Sequence, residues 1–473
     1  MSRHRLSTAR KIGFTLGDYA SNLYWQSVSI FLLFFYTDAV GLSAATAGFI
    51  YMAASIVDAL ADPVMGGIAD RTRTRRGRYR PYILFGCVPL GLAFVLLYWR
   101  PPLAGMWLAI WMMISHIVFR FAYTIVTIPY TSLNARLTES SDERSTLAGF
   151  RMIFGVLAAL TIAYFTYPLV GLLGSGDIAS GFTWAAAAFA LVATALYPLV
   201  YYVTREPAET ATTQATPDFA GYWRALAPNR AFWVLICGTC VAFVCTVALG
   251  KSVLYYFKYY LGQEAAARYA LSAMSAIGLV AIPGWVWVTK YIGKRNAWFA
   301  GVAWGLVMLA VFAVYDIRSP LLMTIWLTVM NVASLGLALT FWSMLPDTVE
   351  YGEWQTGERA ESFIFGLFQF FLKVALGVGA GLFGWLLDRV GYVANTTQSA
   401  GTLAGIRAIM IWLPAVGLLL AGLTMLLYPI RKGSHEAMVA ELAVRRAAPN
   451  SFVRVGLKPD LRAPAAKTHP AQE

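Results

Sequence analysis

The amino-acid sequence predicts an all-α membrane protein in which twelve transmembrane helices form two halves of six. Composition is the first reason: of 473 residues, 59% are hydrophobic and 13% are charged, whereas soluble domains are about half apolar and a quarter charged. The mean hydropathy of +0.60 shows that the excess is general. The second reason is a series of apolar stretches, each near the roughly 20 residues that cross a bilayer. These features exclude a soluble enzyme, a secreted disulfide-rich protein and a large extramembrane catalytic domain.

The predicted spans are numbered in chain order and are joined mostly by short loops. They cover 12–37, 45–69, 81–99, 106–133, 145–172, 183–204, 231–260, 266–289, 296–315, 320–346, 361–387 and 404–430. The first span follows a basic tail without a small-residue cleavage site, so we expect no cleaved signal peptide.

The four cysteines lie in apolar stretches, and Cys237 and Cys240 have no second pair or histidine nearby. We interpret all four as packing residues rather than metal ligands.

The distribution of lysine and arginine predicts that both termini are cytoplasmic. With that orientation, 27 of the 37 cationic side chains lie in cytoplasmic segments, 5 in outer loops and 5 within spans. Positive charge collects on the cytoplasmic side of membrane proteins, which explains the net charge of +13 without a nucleic-acid partner. We expect a multi-pass monomer in the plasma membrane (the inner membrane of a bacterium), in contact with membrane lipids.

A polar stretch in the middle of the chain predicts the joint between the halves. Residues 205–230 are rich in Thr, Ala and Pro and divide the spans six and six, as expected of membrane proteins built from two related repeats. The predicted domains are an N-terminal half over 1–204, a cytoplasmic middle loop over 205–230 and a C-terminal half over 231–430. The tail, 431–473, has little apolar periodicity. We expect it to be mostly disordered but to allow a surface helix across 435–446.

The loop after span 2 carries a recognisable charge pattern, GGIADRTRTRRGRYRP. Its residues Gly67, Asp70, Arg71, Gly77 and Arg78 fit the pattern G-x-x-D-R followed by G-R of the major facilitator superfamily. An aspartate beside arginines at a helix end can brace one conformation of a cytoplasmic gate by ion pairing, so we predict a gating role for Asp70, Arg71 and Arg78. The alternative is a loop whose arginines only set the topology. Asp70 favours the gate, because topology does not require an acid there.

Three carboxylates are predicted within the membrane: Asp18 in span 1, and Asp58 and Asp62 in span 2. A charge near the bilayer centre costs at least about 2.5–3.5 kcal/mol on insertion scales, so each is a functional candidate. Asp58 and Asp62 are four residues apart and share one helical face. Two like charges so placed repel each other unless a cation lies between them or a basic partner faces them, which suits reversible uptake of H⁺ or Na⁺. The alternative is a helix-packing ion pair, although that needs only one acid.

Cationic candidates within the spans differ in strength. Lys373, in the middle of span 11, is the natural counter-charge to the acid pair. Arg151 starts span 5, where extension to the membrane surface competes with a functional role. Arg407 is expected to reach the surface at the outer end of span 12, and for Lys251 both interpretations stay open.

Span 4 carries a polar stripe at helical spacing, typical of a helix that lines a wet cavity rather than lipid. The stripe consists of His116, Arg120, Thr124, Thr127 and Thr131.

Six segments in spans 1 to 11 together point to a known family. They are GDYASNLYW, FYTDAVGLS, VDALADPVMGGIADRTRTRRGRYRPYIL, YTIVTIPYTSL, LPDTVEYGEWQTGER and FLKVALGVGAGL. In this order they resemble the glycoside–pentoside–hexuronide:cation symporters, typified by melibiose permease. The resemblance implies a major facilitator fold and no cofactor beyond a coupling cation, H⁺ or Na⁺. It also covers most of the chain, and the D-A-x-x-D-P and Y-G-E-W-x-T-G sequences are its most specific parts.

The resemblance implies roles for individual residues. The residues implied to form the cation site are Asp58, Asp62, Thr124 and Lys373, of which the first three would be metal ligands if the coupling ion is Na⁺. The residues implied to bind or line the sugar site are Asp18, Tyr123 and Arg151, to which the polar stripe adds Arg120, Thr127 and Thr131.

At five positions the sequence departs from melibiose permease. Thr127 stands where that protein has a second sugar-binding Asp, and Thr131 stands where it has a Trp. Gly17 and Ser55 replace a Lys and an Arg, so a galactoside is not implied. Ala61 replaces an Asn beside the second acid of span 2. This removes an oxygen near the cation site and favours protons over sodium.

The sequence therefore predicts import of a sugar or glycoside with a cation, by alternating access. An uncoupled facilitator or an exporter of an amphiphile is the alternative within transport, and a polytopic membrane enzyme is the alternative outside it. A sensor built on a transporter fold is disfavoured, because the tail is too short for an output domain. A sugar site needs an aromatic face, and the aromatic residues near the polar positions are Tyr24, Trp25, Tyr123, Tyr130, Trp342 and Phe368.

Arg120 raises the question whether the substrate is acidic. Arginine can hold a carboxylate with two parallel hydrogen bonds, so Arg120, with Arg151 nearer the cytoplasm, would suit a uronide. The competing interpretation pairs Arg120 with Asp18 and leaves a neutral glycoside in the site, where Thr127 and Thr131 would bind its hydroxyls.

Overall fold

The computed structural model describes residues 7–137, 141–204, 223–224, 226–357, 360–431 and 433–447. In this part of the chain all regular structure is helical. The α-helices are Thr8–Phe34 (α1), Ala44–Arg71 (α2), Arg80–Leu97 (α3), Gly105–Leu137 (α4), Ser141–Leu173 (α5), Ile178–Val203 (α6), Arg230–Tyr255 (α7), Ala267–Ala276 (α8), Gly278–Ile292 (α9), Lys294–Val314 (α10), Pro320–Thr356 (α11), Glu361–Arg389 (α12), Ala400–Leu426 (α13) and Ser434–Ala447 (α14). Spans 1–7 correspond to α1–α7, span 8 to α8 with α9, and spans 9–12 to α10–α13.

The all-α membrane architecture predicted from the sequence is confirmed. Within the described residues, eleven stretches are long and apolar enough to cross a membrane, and they correspond to spans 2–12. The first helix, α1, has the length of a span but not the apolar composition. Of its 27 residues 15 are buried, among them Asp18 and several hydroxyl side chains. It is therefore a helix that faces protein more than lipid.

Local sequence signals explain where several helices begin. Ser43 accepts a hydrogen bond from the backbone N–H of Thr46, 3.2 Å away, at the start of α2. Asp177 and Asn229 cap α6 and α7 in the same way. Such caps satisfy backbone donors that have no partner within the helix. Several spans also contain an internal proline, which membrane helices tolerate when neighbouring groups satisfy the freed carbonyls.

The predicted halves, α1–α6 and α7–α13, contact each other mainly through α2 and α12, with further contacts of α5 with α8 and of α1 with α7. Glycines make the first contact close. A Cβ atom on Gly48 of α2 would lie 3.0 Å from the carbonyl oxygen of Gly381, and one on Gly377 of α12 would lie 2.7 Å from Ser55 Cβ. Small residues let membrane helices approach backbone to backbone. Because α2 carries the acid pair and α12 carries Lys373, this packing determines the geometry of the candidate site.

The first helix of each half ends in the same unusual way. A five-residue π-helical segment, Phe35–Ala39, follows α1, and another, Tyr256–Tyr260, follows α7. Gly41 and Gly262 then reverse the chain with φ of 86° and 66°. We call this end of the bundle the Asp38 end, after the buried acid in the first π-helical segment. Such segments are frequent at functional sites.

The tail helix α14 packs against the opposite end of α11. Trp354 donates a hydrogen bond of 2.9 Å to Glu441, and Met438 and Leu442 are buried. The tail thus contains a helix over Ser434–Ala447, where the sequence allowed a helix, while 448–473 lie outside the described residues. Of the predicted middle loop, 205–222 and 225 also lie outside them.

Candidate functional site

The two carboxylates of α2 lie on one helical face, and a hydroxyl from α4 lies between them. Thr124 Oγ1 is 3.0 Å from Asp58 Oδ1 and 2.9 Å from Asp62 Oδ1. A hydroxyl has one proton to donate and therefore serves only one of the two carboxylates at a time. Asp58 is 1% exposed, whereas the Asp62 side chain is 20% exposed. The pair therefore has one acid enclosed by protein and one that reaches solvent.

Lys373 supplies the counter-charge from the other half. Its Nζ lies 3.0 Å from Asp58 Oδ2 and also contacts Asp62 Oδ2 directly. One ammonium group thus bridges both acids, which reduces their mutual repulsion. Because α2 and α12 belong to different halves, this charge cluster couples the ionisation of the acids to the contact between the halves.

Arg120 lies one turn before Thr124 on α4, on the side of the acid pair nearer the Asp38 end. Its guanidinium makes only long hydrogen bonds to the surrounding side chains. One Nη is 3.4 Å from Asp58 Oδ2, the other is 3.4 Å from Ser55 Oγ, and Nε is 3.2 Å from His116 Nε2. The guanidinium also lies 5.5 Å from the ring centroid of Trp25. All of these hydrogen bonds are long for a charged group, so Arg120 keeps capacity to bind another ligand.

Asp18 pairs with Arg151, and not with Arg120. Arg151 Nε is 3.0 Å from both carboxylate oxygens of Asp18, and Tyr130 donates a hydrogen bond of 2.6 Å to Oδ2. The interpretation that paired Arg120 with Asp18 is wrong, because Arg120 turns towards Asp58. Asp18 and Arg151 instead form a separate, formally neutral pair between α1 and α5.

The last two hydroxyls of the polar stripe, on Thr127 and Thr131, donate to backbone carbonyl oxygens of α4 itself. Thr127 donates to the carbonyl oxygen of Tyr123 at 2.8 Å, and Thr131 donates to that of Thr127 at 3.0 Å. Neither threonine lines the cavity that Asp58, Arg120 and Lys373 line. Tyr123 does not line the cavity, but it stacks on Trp25, which does, with ring centroids 6.0 Å apart. The stripe therefore has two parts. Arg120 and Thr124 contact the acid pair, whereas the hydroxyls of Thr127 and Thr131 have backbone partners.

A cavity of about 520 Å³ lies between the halves next to the charge cluster. This volume is within the range of small-molecule sites. Asp58, Arg120 and Lys373 line it, and so does Trp25, alone among the aromatic residues that the sequence suggested. Tyr24, Tyr130 and Phe368 are buried in packing, and Trp342, which is 41% exposed, contacts the rings of Phe341 and Phe368. Trp25 therefore lines the cavity together with two aromatic residues that the sequence did not suggest, Tyr51 and Phe243.

The structure brings two further charged residues to cross-half contacts: Lys251, for which the sequence left both interpretations open, and Asp38, which sequence reasoning missed. Lys251 of α7 lines the same cavity, and its ammonium contacts the carbonyl oxygen of Ser29 on α1. Asp38 is 3% exposed at the end of α1. Its Oδ1 accepts a hydrogen bond of 2.7 Å from Lys258. Asp38 follows the predicted end of span 1, which made it look like a loop residue.

The residues predicted to form a gate lie at the other end of α2. Arg71 is the last residue of that helix and is exposed, and Arg78 is half-buried. The Asp70 side chain is outside the described part of the structure. Their gating role therefore stays a prediction.

A group of metal-ligand type occurs where the tail helix meets α11. Asp347, Glu350 and His435 offer ligand atoms within 4.8 Å of one another. However, the ammonium of Lys294 lies 2.7 and 2.8 Å from the two oxygens of Asp347, where a metal ion would bind. His435 is 2.6 Å from Glu350. These contacts make the group an ion-pair cluster that attaches α14 to the bundle.

The chain is similar in sequence to known transporters. The chain is 30% identical to the isoprimeverose transporter of Lactiplantibacillus pentosus over 447 residues, which are 94% of this chain and 93% of that protein. It is 29% identical to a glucuronide carrier protein homolog of Escherichia coli, covering 93% and 97% of the two chains.

Among solved structures, a bacterial homolog of the human lysosomal transporter Spinster, in an inward-facing and unoccupied conformation, matches the fold. Its TM-score is 0.69 at 12% identity, with 89% of this chain and 96% of that chain covered. Residues 13–432 match the family described as MFS/sugar transport protein. The protein is therefore a transporter of the major facilitator superfamily and not an enzyme, and it belongs to the MFS/sugar transport protein family.

Proposed function

We propose that the protein imports a sugar or glycoside together with a cation across a bacterial inner membrane, with both termini in the cytoplasm. The observation that carries the proposal is the cluster of Asp58, Asp62 and Lys373, which joins the two halves beside a sugar-sized cavity. A charge inside a membrane protein is costly and marks ion pathways. The lysine and arginine distribution supports the orientation.

Coupling follows from the contacts of Lys373. When a cation neutralises one acid of the pair, Lys373 loses part of its attraction to α2, and the balance between the two arrangements of the halves changes. If the sugar binds better to the cation-loaded form, the cation must in turn bind better to the sugar-loaded form by the same factor. Alternating exposure of the cavity then moves both together.

Two features favour protons over sodium as the coupling ion. Lys373 already occupies the space between the carboxylates, so a sodium ion would have to displace an ammonium group. A proton needs only one oxygen, whereas Na⁺ would need Asp58, Asp62, Thr124 and further oxygens, and Ala61 supplies none. Arg120 is proposed to bind the sugar, and Trp25 is proposed to contact its ring. Asp18 and Arg151 do not line this cavity, so a sugar-binding role for them rests on the family resemblance alone.

Uptake into proteoliposomes tests the proposal. A panel of labelled sugars and glycosides is offered under an inward proton gradient, under an inward sodium gradient and with no gradient. We expect at least one sugar to accumulate above its equilibrium level when the proton gradient is present. Equilibration without accumulation under any gradient would instead show an uncoupled facilitator, and movement only out of preloaded vesicles would show an exporter.

A further inference from the structure

Two buried cationic side chains, one from each half, line the part of the cavity nearer the Asp38 end. Arg120 of α4 is 3% exposed and Lys251 of α7 is 4% exposed, and both line the cavity. Both also face the ring of Tyr51, with the guanidinium carbon 5.7 Å and the ammonium nitrogen 4.2 Å from its centroid. The two cations therefore lie close to each other, on either side of Tyr51, in the wall of one cavity.

The acids around these cations do not balance their charge. Asp58 is shared between Arg120 and Lys373, and Asp62 pairs with Lys373. Lys251 contacts backbone carbonyls of α1 and both the ring and the hydroxyl of Tyr51, and no described carboxylate lies within ion-pair distance of it. Two carboxylates thus face three cations, a formal excess of one positive charge. Burying an uncompensated charge is strongly unfavourable, so the cavity favours an anionic ligand.

Uptake of the coupling ion increases this excess. When a proton or a sodium ion neutralises one acid, the formal charge of the cluster rises to two positive. If that acid is Asp58, its 3.4 Å contact with Arg120 loses its charge assistance, and the guanidinium can turn to a ligand in the cavity. Arginine then offers two parallel donors to a carboxylate or sulfonate, and Lys251 adds a point charge.

We propose that Arg120 and Lys251 together bind the anionic group, a carboxylate or a sulfonate, of an acidic sugar or glycoside. This rests on the proposed symport function and specifies its substrate class. The sugar ring lies against Trp25, and its hydroxyls meet neutral polar side chains of the same cavity: Gln26, Ser29, Thr246, Ser275 and Asn331. Cation loading creates the second positive charge, so the anion binds after the coupling ion.

The charge balance gives the proposal a distinctive consequence. A monoanionic sugar carried with one proton moves no net charge, whereas a neutral sugar carried with one proton moves one. Moving a charge through 100 mV corresponds to about 2.3 kcal/mol. Uptake of the acidic substrate under a proton gradient is therefore insensitive to an imposed membrane potential, and uptake of a neutral sugar would respond strongly.

The experiment uses the intact protein in proteoliposomes and three matched probes: methyl β-glucuronide, methyl β-glucoside and the corresponding 6-sulfonate. We expect the glucuronide or the sulfonate to accumulate independently of potential, and a hundredfold excess of glucoside not to compete. The two acidic probes distinguish a carboxylate substrate from a sulfonate one. Lys251→Gln raises the half-saturation constant for the acidic probe at least tenfold, and Lys251→Arg restores most of the affinity.

Arg389→Gln is the matched control, because it removes one positive charge from the exposed end of α12, outside the cavity. We expect it to leave the half-saturation constant unchanged. Potential-dependent accumulation of the glucoside, or equal loss of both substrate types in Lys251→Gln, overturns the anion site and leaves symport standing. Failure of every sugar in the wider panel to respond to any gradient overturns the symport proposal itself, and the anion site with it.

Discussion

The chemistry of this protein depends on a few charged side chains that are shared among several partners. Asp58 accepts from Thr124, from Arg120 and from Lys373 at distances of 3.0 to 3.4 Å. In a low-dielectric interior, each of these interactions is stronger than in water. A change in the protonation of one group therefore changes the position of several others, which is the property that a coupling site needs.

Asp62 is the acid of the pair that reaches solvent, and its removal tests coupling. Asp62→Asn keeps an oxygen for the Thr124 hydroxyl but cannot take up a cation. We expect it to abolish accumulation against a gradient while the protein remains folded in the membrane. Asp388→Asn removes an exposed carboxylate from the end of α12 and should leave accumulation unchanged. The measurement is sugar uptake with and without a proton gradient, and full accumulation by Asp62→Asn would refute the cation site.

The identity of the coupling ion is a second prediction at the scale of single residues. Because Lys373 bridges both acids and Ala61 adds no oxygen, transport should follow a proton gradient and respond little to sodium. Replacing sodium by choline at fixed pH is expected to change the half-saturation constant for the sugar by less than about twofold. A large loss of affinity in sodium-free buffer would show that the three oxygens of Asp58, Asp62 and Thr124 bind sodium after all.

Among the helices, α2 and α12 form the main contact between the halves, and glycines determine how close they come. A Cβ atom on Gly384 would lie 2.9 Å from Gly48 Cα and would also clash with the carbonyl oxygen of Ala44. Backbone atoms cannot move aside as a flexible side chain can. The closed contact near the Asp38 end therefore requires glycine at this position.

Gly384→Ala is expected to separate α2 from α12 and to slow uptake several-fold. It should also lower the melting temperature in detergent by a few degrees, because the two helices lose close packing. Gly366→Ala is the matched control on the same helix, where a Cβ atom meets nothing within 4 Å. Since alanine favours helix over glycine, the control should leave both measurements unchanged or slightly improved. Equal behaviour of the two variants would show that close packing at Gly384 is unimportant.

The sequence predicted helices and the acid pair well because both are local properties. Apolar length marks spans 2–12, and a spacing of four places Asp58 and Asp62 on one face. The break at Ile277 between α8 and α9 was not predicted, since an apolar run does not show where a helix is interrupted. The partners of Arg120 and Arg151 were also not predictable, because helices 1, 2, 4 and 5 first have to be packed before their charges can be matched.

At the scale of the whole molecule, several hydrogen bonds between the halves surround Asp38 in the described part of the chain. Its carboxylate accepts from Lys258 and Tyr392 at 2.7 Å each and from Tyr259 at 2.5 Å. Asn395 donates to its backbone carbonyl oxygen at 2.7 Å. Asp38 belongs to the first half and these four partners to the second, and Thr37 of the first half donates a further hydrogen bond of 2.7 Å to Oδ2. By the proposed orientation this end faces outward, so the network holds the outer side of the bundle closed.

Neutralising Asp38 should therefore open the outer end more often. Asp38→Asn preserves the size of the side chain but removes the charge that Lys258 and the two tyrosines share. Removing one partner of a buried ion pair costs about 3–5 kcal/mol. Only the closed arrangement loses this amount, and each 1.4 kcal/mol shifts the balance tenfold. The outward-open population is thus expected to rise by at least about tenfold.

A cysteine at Thr246, which lines the cavity on α7, reports this opening. In right-side-out vesicles, a membrane-impermeant maleimide should label Thr246→Cys at least about tenfold faster when Asp38→Asn is also present. Labelling of the same protein without Thr246→Cys is subtracted to correct for the native cysteines. Asp316→Asn is the control: Asp316 pairs with Tyr260 and Arg318 inside one half, so its loss leaves the seam between the halves intact and the labelling rate unchanged. If Asp38→Asn and Asp316→Asn label alike, the Asp38 network stabilises local structure at that end and does not control access to the cavity.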